Sequence, residues 1–106
     1  MFESLTNTYE LNARLANGLR LDVTKIVGAR YSLVTPFGNV NKTLPDMTIE
    51  YIDHLGYNYL VVTLTPEESA FSGKAIQQLS VSFDGETYQG CIMRPATLTF
   101  SPTYKD

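Results

Sequence analysis

Strict alternation of apolar and polar side chains is the feature that most constrains the fold of this chain. In residues 59–65, Leu60, Val62 and Leu64 share one face of an extended segment. A period of two is typical of β-strands with one buried face, because successive side chains of a strand point to opposite sides. We expect this strand, the most apolar in the chain, to be central, and we expect residues 47–51 to form another strand.

The same pattern recurs along the chain and predicts an all-β protein. Strand-like segments follow one another at roughly 8–12-residue spacing, which gives about seven or eight strands and one short helical turn. Residue types that pack well on a pleated surface, such as Tyr, Phe, Thr, Val and Ile, are abundant. We expect residues 1–106 to be a single domain, an antiparallel β-sandwich or small barrel.

The N-terminal part admits two interpretations. Residues 9–26 alternate on both sides of a loop that ends in Gly18, and a hairpin there pairs Leu15 with Leu19 so that apolar residues share one face. The competing prediction is a helix over residues 2–16. The alternation favours the hairpin, because the apolar positions after residue 10 fit a helical stripe poorly.

Turn-forming residues divide the middle of the chain. We expect a short strand over residues 30–35 and then a loop over residues 36–46, where Pro, Gly and Asn cluster. Thr65, followed by Pro66 and by Glu68, matches the start of a helix with a capping box. We expect a helix of about one or two turns at that point.

The dipeptide Asp84-Gly85 predicts a second hairpin. Asp-Gly is a strong signal for a two-residue turn, and such a turn sets Val81 opposite Tyr88. The flanking strands are residues 76–83 and 86–93. A last short strand is expected at residues 97–100.

Charge and cysteine content exclude several classes of protein. Eight Lys and Arg against eleven Asp and Glu give a net charge of −3, whereas nucleic-acid binders carry a basic excess. Cys91 is the single cysteine, which excludes an internal disulfide and a cysteine-based zinc site, and we expect it to be a small buried hydrophobe. Polar residues interrupt the N-terminal segment. We therefore expect no signal peptide and no membrane span, and predict a soluble chain that is made in the cytoplasm.

The chain offers few residues for catalysis. His54 is the only histidine and directly follows Asp53, and adjacent residues of a strand point to opposite faces. We expect a surface or turn histidine. Asp84 and Glu86 flank a turn; turn chemistry explains Asp84, and solvation explains Glu86. We therefore predict no enzyme, with no catalytic residue, no metal and no cofactor.

Residues 60–100 resemble a known kind of domain. After the apolar strand they contain Leu64-Thr65-Pro66-Glu67-Glu68-Ser69-Ala70, then Gly73-Lys74, and then Asp84-Gly85-Glu86-Thr87-Tyr88-Gln89-Gly90 before a closing strand. This order resembles the small β-sandwich domains of tailed-phage virion proteins, such as the attachment domains of baseplate and tail-fibre subunits. The resemblance implies a structural role in a tail, a baseplate, a connector or as a capsid accessory.

We therefore predict a non-enzymatic structural or assembly protein of a phage virion. Its expected partners are proteins, as copies of itself in a homo-oligomer or as other virion subunits, and neither nucleic acid nor membrane. Charged residues make up only 18% of the chain, below the ~25% of an average soluble domain, which suits a surface covered by partners. Phe37, Tyr57 and Phe71 are the candidate interface residues, unless they belong to the core. The alternative is a small glycan- or peptide-binding module that uses Tyr57 and Tyr59.

Overall fold

Nine strands and one 3₁₀ turn make up the described part of the chain. The computed structural model describes residues 5–52 and 57–101, and at positions 50–52, 57 and 58 it describes the backbone alone. The strands are β1 (Asn7–Leu11), β2 (Ala13–Leu15), β3 (Gly28–Thr35), β4 (Gly38–Thr43), β5 (Thr48–Ile52), β6 (Tyr57–Leu64), β7 (Gly73–Ser82), β8 (Gln89–Met93) and β9 (Thr97–Phe100), and the 3₁₀ turn is Leu44–Asp46.

The strands form two antiparallel sheets. The small sheet has the order β1-β6-β5. The large sheet has the order β2-β8-β7-β3-β4, and β9 pairs with the first half of β7. The apolar faces of both sheets contribute to one core. The predicted all-β antiparallel sandwich is confirmed, with nine strands in the described residues rather than seven or eight.

Strands β1 and β2 are one nearly continuous run that passes from the small sheet to the large sheet at Asn12. The predicted turn forms, with Gly18 at a φ of 85° and the N–H of Leu15 bonded to the carbonyl of Leu19 at 2.9 Å. Pairing with residues 19–23 then stops after a single bridge. The hairpin is wrong beyond its turn. The helix is wrong over residues 7–15, because these residues form β1 and β2, which pair with β6 and β8.

The predicted loop over residues 36–46 is also wrong, because most of it is β4 and the 3₁₀ turn. Strand β4 pairs along β3 after a two-residue turn. Only Val40 and Lys42 of β4 point to the core side, opposite Leu33 and Tyr31 of β3. A strand at a sheet edge with a charged residue on its inner face lacks the apolar alternation by which strands are recognised.

The capping pattern at Thr65 is present, but it starts a turn rather than a helix. The N–H of Thr65 donates to Oε1 of Glu68 at 2.9 Å, and the N–H of Glu68 donates to Oγ1 of Thr65 at 3.3 Å. Residues 66–69 form a turn, and Ser69 and Phe71 are both buried. The short helical element of the fold lies at Leu44–Asp46 instead.

The loop after β7 is wider than the predicted two-residue turn. The carboxylate of Asp84 accepts hydrogen bonds from the backbone N–H groups two and three residues further on, both at 2.8 Å. These bonds hold residues 83–88 as a loop, and pairing resumes with Val81 opposite Gln89. The predicted pairing with Tyr88 is therefore wrong by one position, and Tyr88 lies outside the sheet.

The core is filled by side chains whose alternation the sequence displays. Leu60, Val62 and Leu64 of β6 are at most 1% exposed, and β6 is central in the small sheet as predicted. Phe71 packs its ring against Phe100 of β9 at a centroid distance of 4.5 Å. Full burial of an aliphatic or aromatic side chain contributes roughly 1.5–3 kcal/mol, so contacts of this kind hold the sheets together.

A chain of hydrogen bonds runs through this core from one sheet to the other. Tyr31 of β3 is fully buried, and its hydroxyl donates to Oε1 of Gln77 on β7 at 2.7 Å. The hydroxyl of Tyr9, in the small sheet, lies 2.8 Å from that of Tyr31 and donates to it, because the Tyr31 proton is already directed at Gln77. Nε2 of Gln77 donates to the carbonyl of Pro95 at 2.7 Å.

We predict that Tyr31→Phe lowers the free energy of unfolding by about 1–3 kcal/mol, because it leaves Oε1 of Gln77 without a donor and the hydroxyl of Tyr9 without its acceptor. Chemical denaturation measures the change. Tyr59→Phe is the matched control, since the Tyr59 hydroxyl has only a 3.4 Å contact with Arg20 near the surface, and we expect it to change stability by less than about 0.5 kcal/mol. Equal losses in the two variants would contradict the assigned role of Tyr31.

We also predict that stability falls at high pH. Burial raises the pKa of Tyr9 from 10.0 to about 12, and burial raises the pKa of Tyr31 well above its usual range. The unfolded chain therefore releases these protons first, so their contribution to stability is complete below about pH 10 and declines as the pH rises towards 12. Denaturation at several pH values from 8 to 12 measures this, and a Tyr9→Phe variant should show a weaker decline.

Candidate interaction surface

Alternation in the large sheet leaves a broad surface on the side away from the core. The strand registers place one set of side chains on this side, where most of them are exposed. We call this set the outer face. Its residues are Arg14, Arg30, Ser32, Val34, Asn39, Asn41, Thr43, Lys74, Ile76, Gln78, Ser80, Gly90, Ile92, Thr97 and Thr99.

The outer face has an unusual charge for this acidic chain. Its three charged residues, Arg14, Arg30 and Lys74, are all cations, although the whole chain has a net charge of −3. Its remaining polar residues are neutral amides and hydroxyls. Three apolar side chains stand among them: Val34, which is half-buried, Ile76 at 51% exposure and Ile92 at 42% exposure. Exposed apolar side chains that are rimmed by polar residues can form a contact surface for another protein.

Tyr88 closes one end of the outer face. The ring lies over Gly28 of β3, where an added Cβ would come within 2.6 Å of the Tyr88 hydroxyl. The guanidinium of Arg30 lies 4.0 Å from the centre of the same ring, within the range of a cation–π contact. A groove runs from Tyr88 to the 3₁₀ turn, past Val27 and Pro45. Sequence reasoning missed this site because it placed Tyr88 inside a strand.

The three predicted interface residues lie in different surroundings. Phe37, at the tip of the β3–β4 hairpin, is 83% exposed. Phe71 is only 4% exposed and packs on Phe100, so it belongs to the core rather than to an interface surface. Tyr57 begins β6, and its side chain lies outside the described residues.

A cleft where the chain crosses between the sheets brings Arg14, Arg20 and Tyr59 together. The Arg20 guanidinium lies 5.7 Å from the centre of the Tyr59 ring. The cleft has a volume of about 220 Å³, whereas small-molecule sites usually span ~300–1,000 Å³. Tyr59 is half-buried there, and the structure does not describe the Tyr57 side chain with which it was predicted to form a binding site.

The remaining polar and titratable candidates have local structural roles where they are described. Cys91, predicted to be buried, is only half-buried and packs against the edge of the core, and this partial burial raises the pKa of its thiol. Backbone N–H groups of the loop lower the pKa of Asp84. His54 lies outside the described residues. Across positions 5–52 and 57–101, no three His, Cys, Asp or Glu residues gather as metal ligands, and no helix has the length and hydropathy to span a membrane.

Comparisons of the chain with protein-family models, with curated proteins and with solved structures find no match.

We predict that Gly28→Ala displaces the Tyr88 ring, because the new methyl group would clash with its hydroxyl. Loss of the contact with Arg30 should lower the free energy of unfolding by about 0.5–1 kcal/mol. Chemical shifts of the Tyr88 ring protons report the movement. Gly90→Ala, on the same face but with no atom within 4 Å of the added methyl, is the control: it should leave the Tyr88 chemical shifts unchanged and should not lower the free energy of unfolding.

Proposed function

We propose that this chain is a non-enzymatic structural or assembly protein, a component of a tailed-phage virion, that acts through protein–protein contacts. The observation that carries the proposal is the outer face, with its exposed isoleucines, its neutral polar residues and its lack of carboxylates. Its partners are copies of the chain or other virion subunits, and its action requires no cofactor, nucleic acid or membrane.

The chemistry of the outer face supports contact with a protein rather than with solvent. Val34 and Ile76 lie opposite each other on neighbouring strands and form an apolar centre. Arg30 and Lys74 lie on either side of it along the same two strands. Covering such a centre stabilises a complex by roughly 25 cal/mol for each Å² of apolar surface removed from water, while the surrounding cations favour an acidic partner surface.

The virion location is supported by the resemblance of residues 60–100 to the small β-sandwich domains of tailed-phage virion proteins. Under this proposal, virions of the phage that encodes the chain contain it in several copies. Mass spectrometry of purified virions tests this. Absence of the chain from virions, when it is present in the infected cell, would overturn the proposed location.

We predict that Ile76→Asp weakens association of the chain with its protein partner at least tenfold, because a carboxylate would be buried in the apolar centre without a partner. Incorporation into virions and co-purification of bound proteins measure the effect. Leu19→Asp is the control, since Leu19 is 63% exposed and lies away from the outer face. Thermal unfolding must show that both variants are folded, and equal binding by both would contradict the role of the outer face.

The glycan- or peptide-binding module is the second candidate. It is favoured by the groove beside Tyr88, because a tyrosine ring and a guanidinium at one place offer a ligand an apolar surface and hydrogen-bond donors. Gly28→Ala distinguishes the two proposals. A ligand of the groove would bind this variant less well and would bind Ile76→Asp normally, whereas a protein that covers the apolar centre would show the opposite.

A further inference from the structure

Strand β4 presents an unpaired edge in the described structure. It lies at one end of the large sheet, with β3 on its single paired side. The two-residue turn makes Thr35 and Gly38 a hydrogen-bonded pair, so the N–H and C=O groups of alternate residues from Gly38 onward face β3. The N–H groups of Asn39, Asn41 and Thr43 therefore project from the free edge.

Two observed hydrogen bonds agree with this assignment. The N–H of Thr43 donates to Oδ2 of Asp46 at 3.1 Å, on the side away from β3. The N–H of Gln77 on β7 donates to the carbonyl of Ala96, which fixes the alternation across β7 and β3. Of the three outward N–H groups, those of Asn39 and Asn41 remain for a further strand, and Thr43 is already occupied.

Edge strands usually carry features that prevent pairing with another chain, such as charged side chains, prolines or bulges. The one charge of β4 is on Lys42, and Oε1 of Glu68 lies 2.8 Å from its Nζ. Burial disfavours the charge of Glu68, but hydrogen bonds from Lys42 and Thr65 outweigh it and lower the pKa of Glu68. The charge of Lys42 is thus neutralised within the chain, and β4 has no proline.

We infer that β4 pairs antiparallel with β4 of a second copy, around a two-fold axis at Val40. In this register Asn39 lies opposite Asn41 of the second copy, and the large sheets of both copies become one continuous sheet. The inference rests on the proposed assembly function and names a second copy of this chain as a partner.

Three requirements select this register. Residues that face each other across the two strands must point to the same side of the sheet. Even-numbered residues of β4 therefore pair with even-numbered residues of the second copy, and odd-numbered with odd-numbered. Pairing Asn39 with Asn41 on both sides of the axis uses both free N–H groups of each copy, and each such pair exchanges two backbone hydrogen bonds. The pairing also sets Lys42 opposite Gly38, which keeps the two lysines apart.

The neighbouring registers are less favourable. An axis at Asn41 sets Asn39 opposite Thr43, whose N–H is already bonded to Asp46. An axis at Lys42 sets Asn41 opposite Thr43, whose N–H is already bonded to Asp46, and leaves the N–H of Asn39 unused. In the selected register Phe37, the most exposed large apolar side chain described, comes beside Thr43 of the second copy and next to its 3₁₀ turn. The hairpin tip is thereby covered.

The first test is the effect of Asn41→Pro on self-association. Proline removes the N–H that points away from β3 and is tolerated at that side of an edge strand, so β3–β4 pairing survives. Asn41→Thr is the control, because both variants lose the amide oxygen that accepts from Oγ of Ser32 but only proline loses the N–H. We expect Asn41→Pro to raise the dimer dissociation constant at least tenfold in sedimentation equilibrium and Asn41→Thr to leave it unchanged.

The second test is the register itself, with Val40→Cys in a Cys91→Ala background. Facing residues at the axis form a non-hydrogen-bonded pair with Cα atoms about 4.5 Å apart, within disulfide range. Mild oxidation should link two copies through residue 40 efficiently. Asn41→Cys in the same background is the control, because position 41 faces position 39 and should link much more slowly. Faster linkage at position 41 would overturn the register.

The outcomes separate this inference from the proposed function. A chain that is monomeric at every concentration but still enters virions overturns the β4 pairing and leaves the function in place. A second outcome also overturns the inference. If the parent chain does not self-associate but Asn41→Pro abolishes its binding to another virion protein, then β4 pairs with a strand of that protein and not with a second copy. Absence of both self-association and virion incorporation overturns the proposed function.

Discussion

The hydrogen-bond chain from Tyr9 through Tyr31 to Gln77 is the interaction on which the relation of the two sheets depends. Apolar contacts between sheets are favourable in many relative positions, because the hydrophobic effect has no direction. A buried hydroxyl needs both a donor and an acceptor within hydrogen-bond distance, and only one relative position of the two sheets provides both. Tyr9 belongs to the small sheet, while Tyr31 and Gln77 are on adjacent strands of the large sheet. These hydrogen bonds therefore set how β1 lies across β3 and β7.

That arrangement also determines which surfaces are left for partners. The core uses the inner side of the large sheet, and Phe71 and Phe100 close it at one end. The outer side of the same sheet is left with Ile76 and Ile92 exposed among neutral and cationic residues. One face thus stabilises the fold, and the opposite face is left exposed, as the alternation of a strand requires.

The proposed contacts of the outer face and of β4 are compatible in one assembly. Pairing through β4 extends the large sheet sideways, in the hydrogen-bonding direction, and leaves the outer faces of both copies exposed on the same side. A two-fold contact is closed, so the β4 edges of both copies are paired in the dimer and no third copy can add to them. The carboxylate-free outer face of such a dimer would then be available to other subunits, while the paired edges would no longer present unpaired N–H groups to other chains.

The sequence by itself determined that this chain is an all-β protein, because alternation is a local property that β6 and β7 display residue by residue. It also located the turn at Gly18 and the capping contact at Thr65. Only the tertiary structure decided the partner of each strand, the width of the loop at Asp84 and the existence of β4. It alone separated the exposed Phe37 from the buried Phe71. The physical reason is that strand pairing and burial depend on residues far apart in the chain, whereas a local pattern specifies only which faces can be buried.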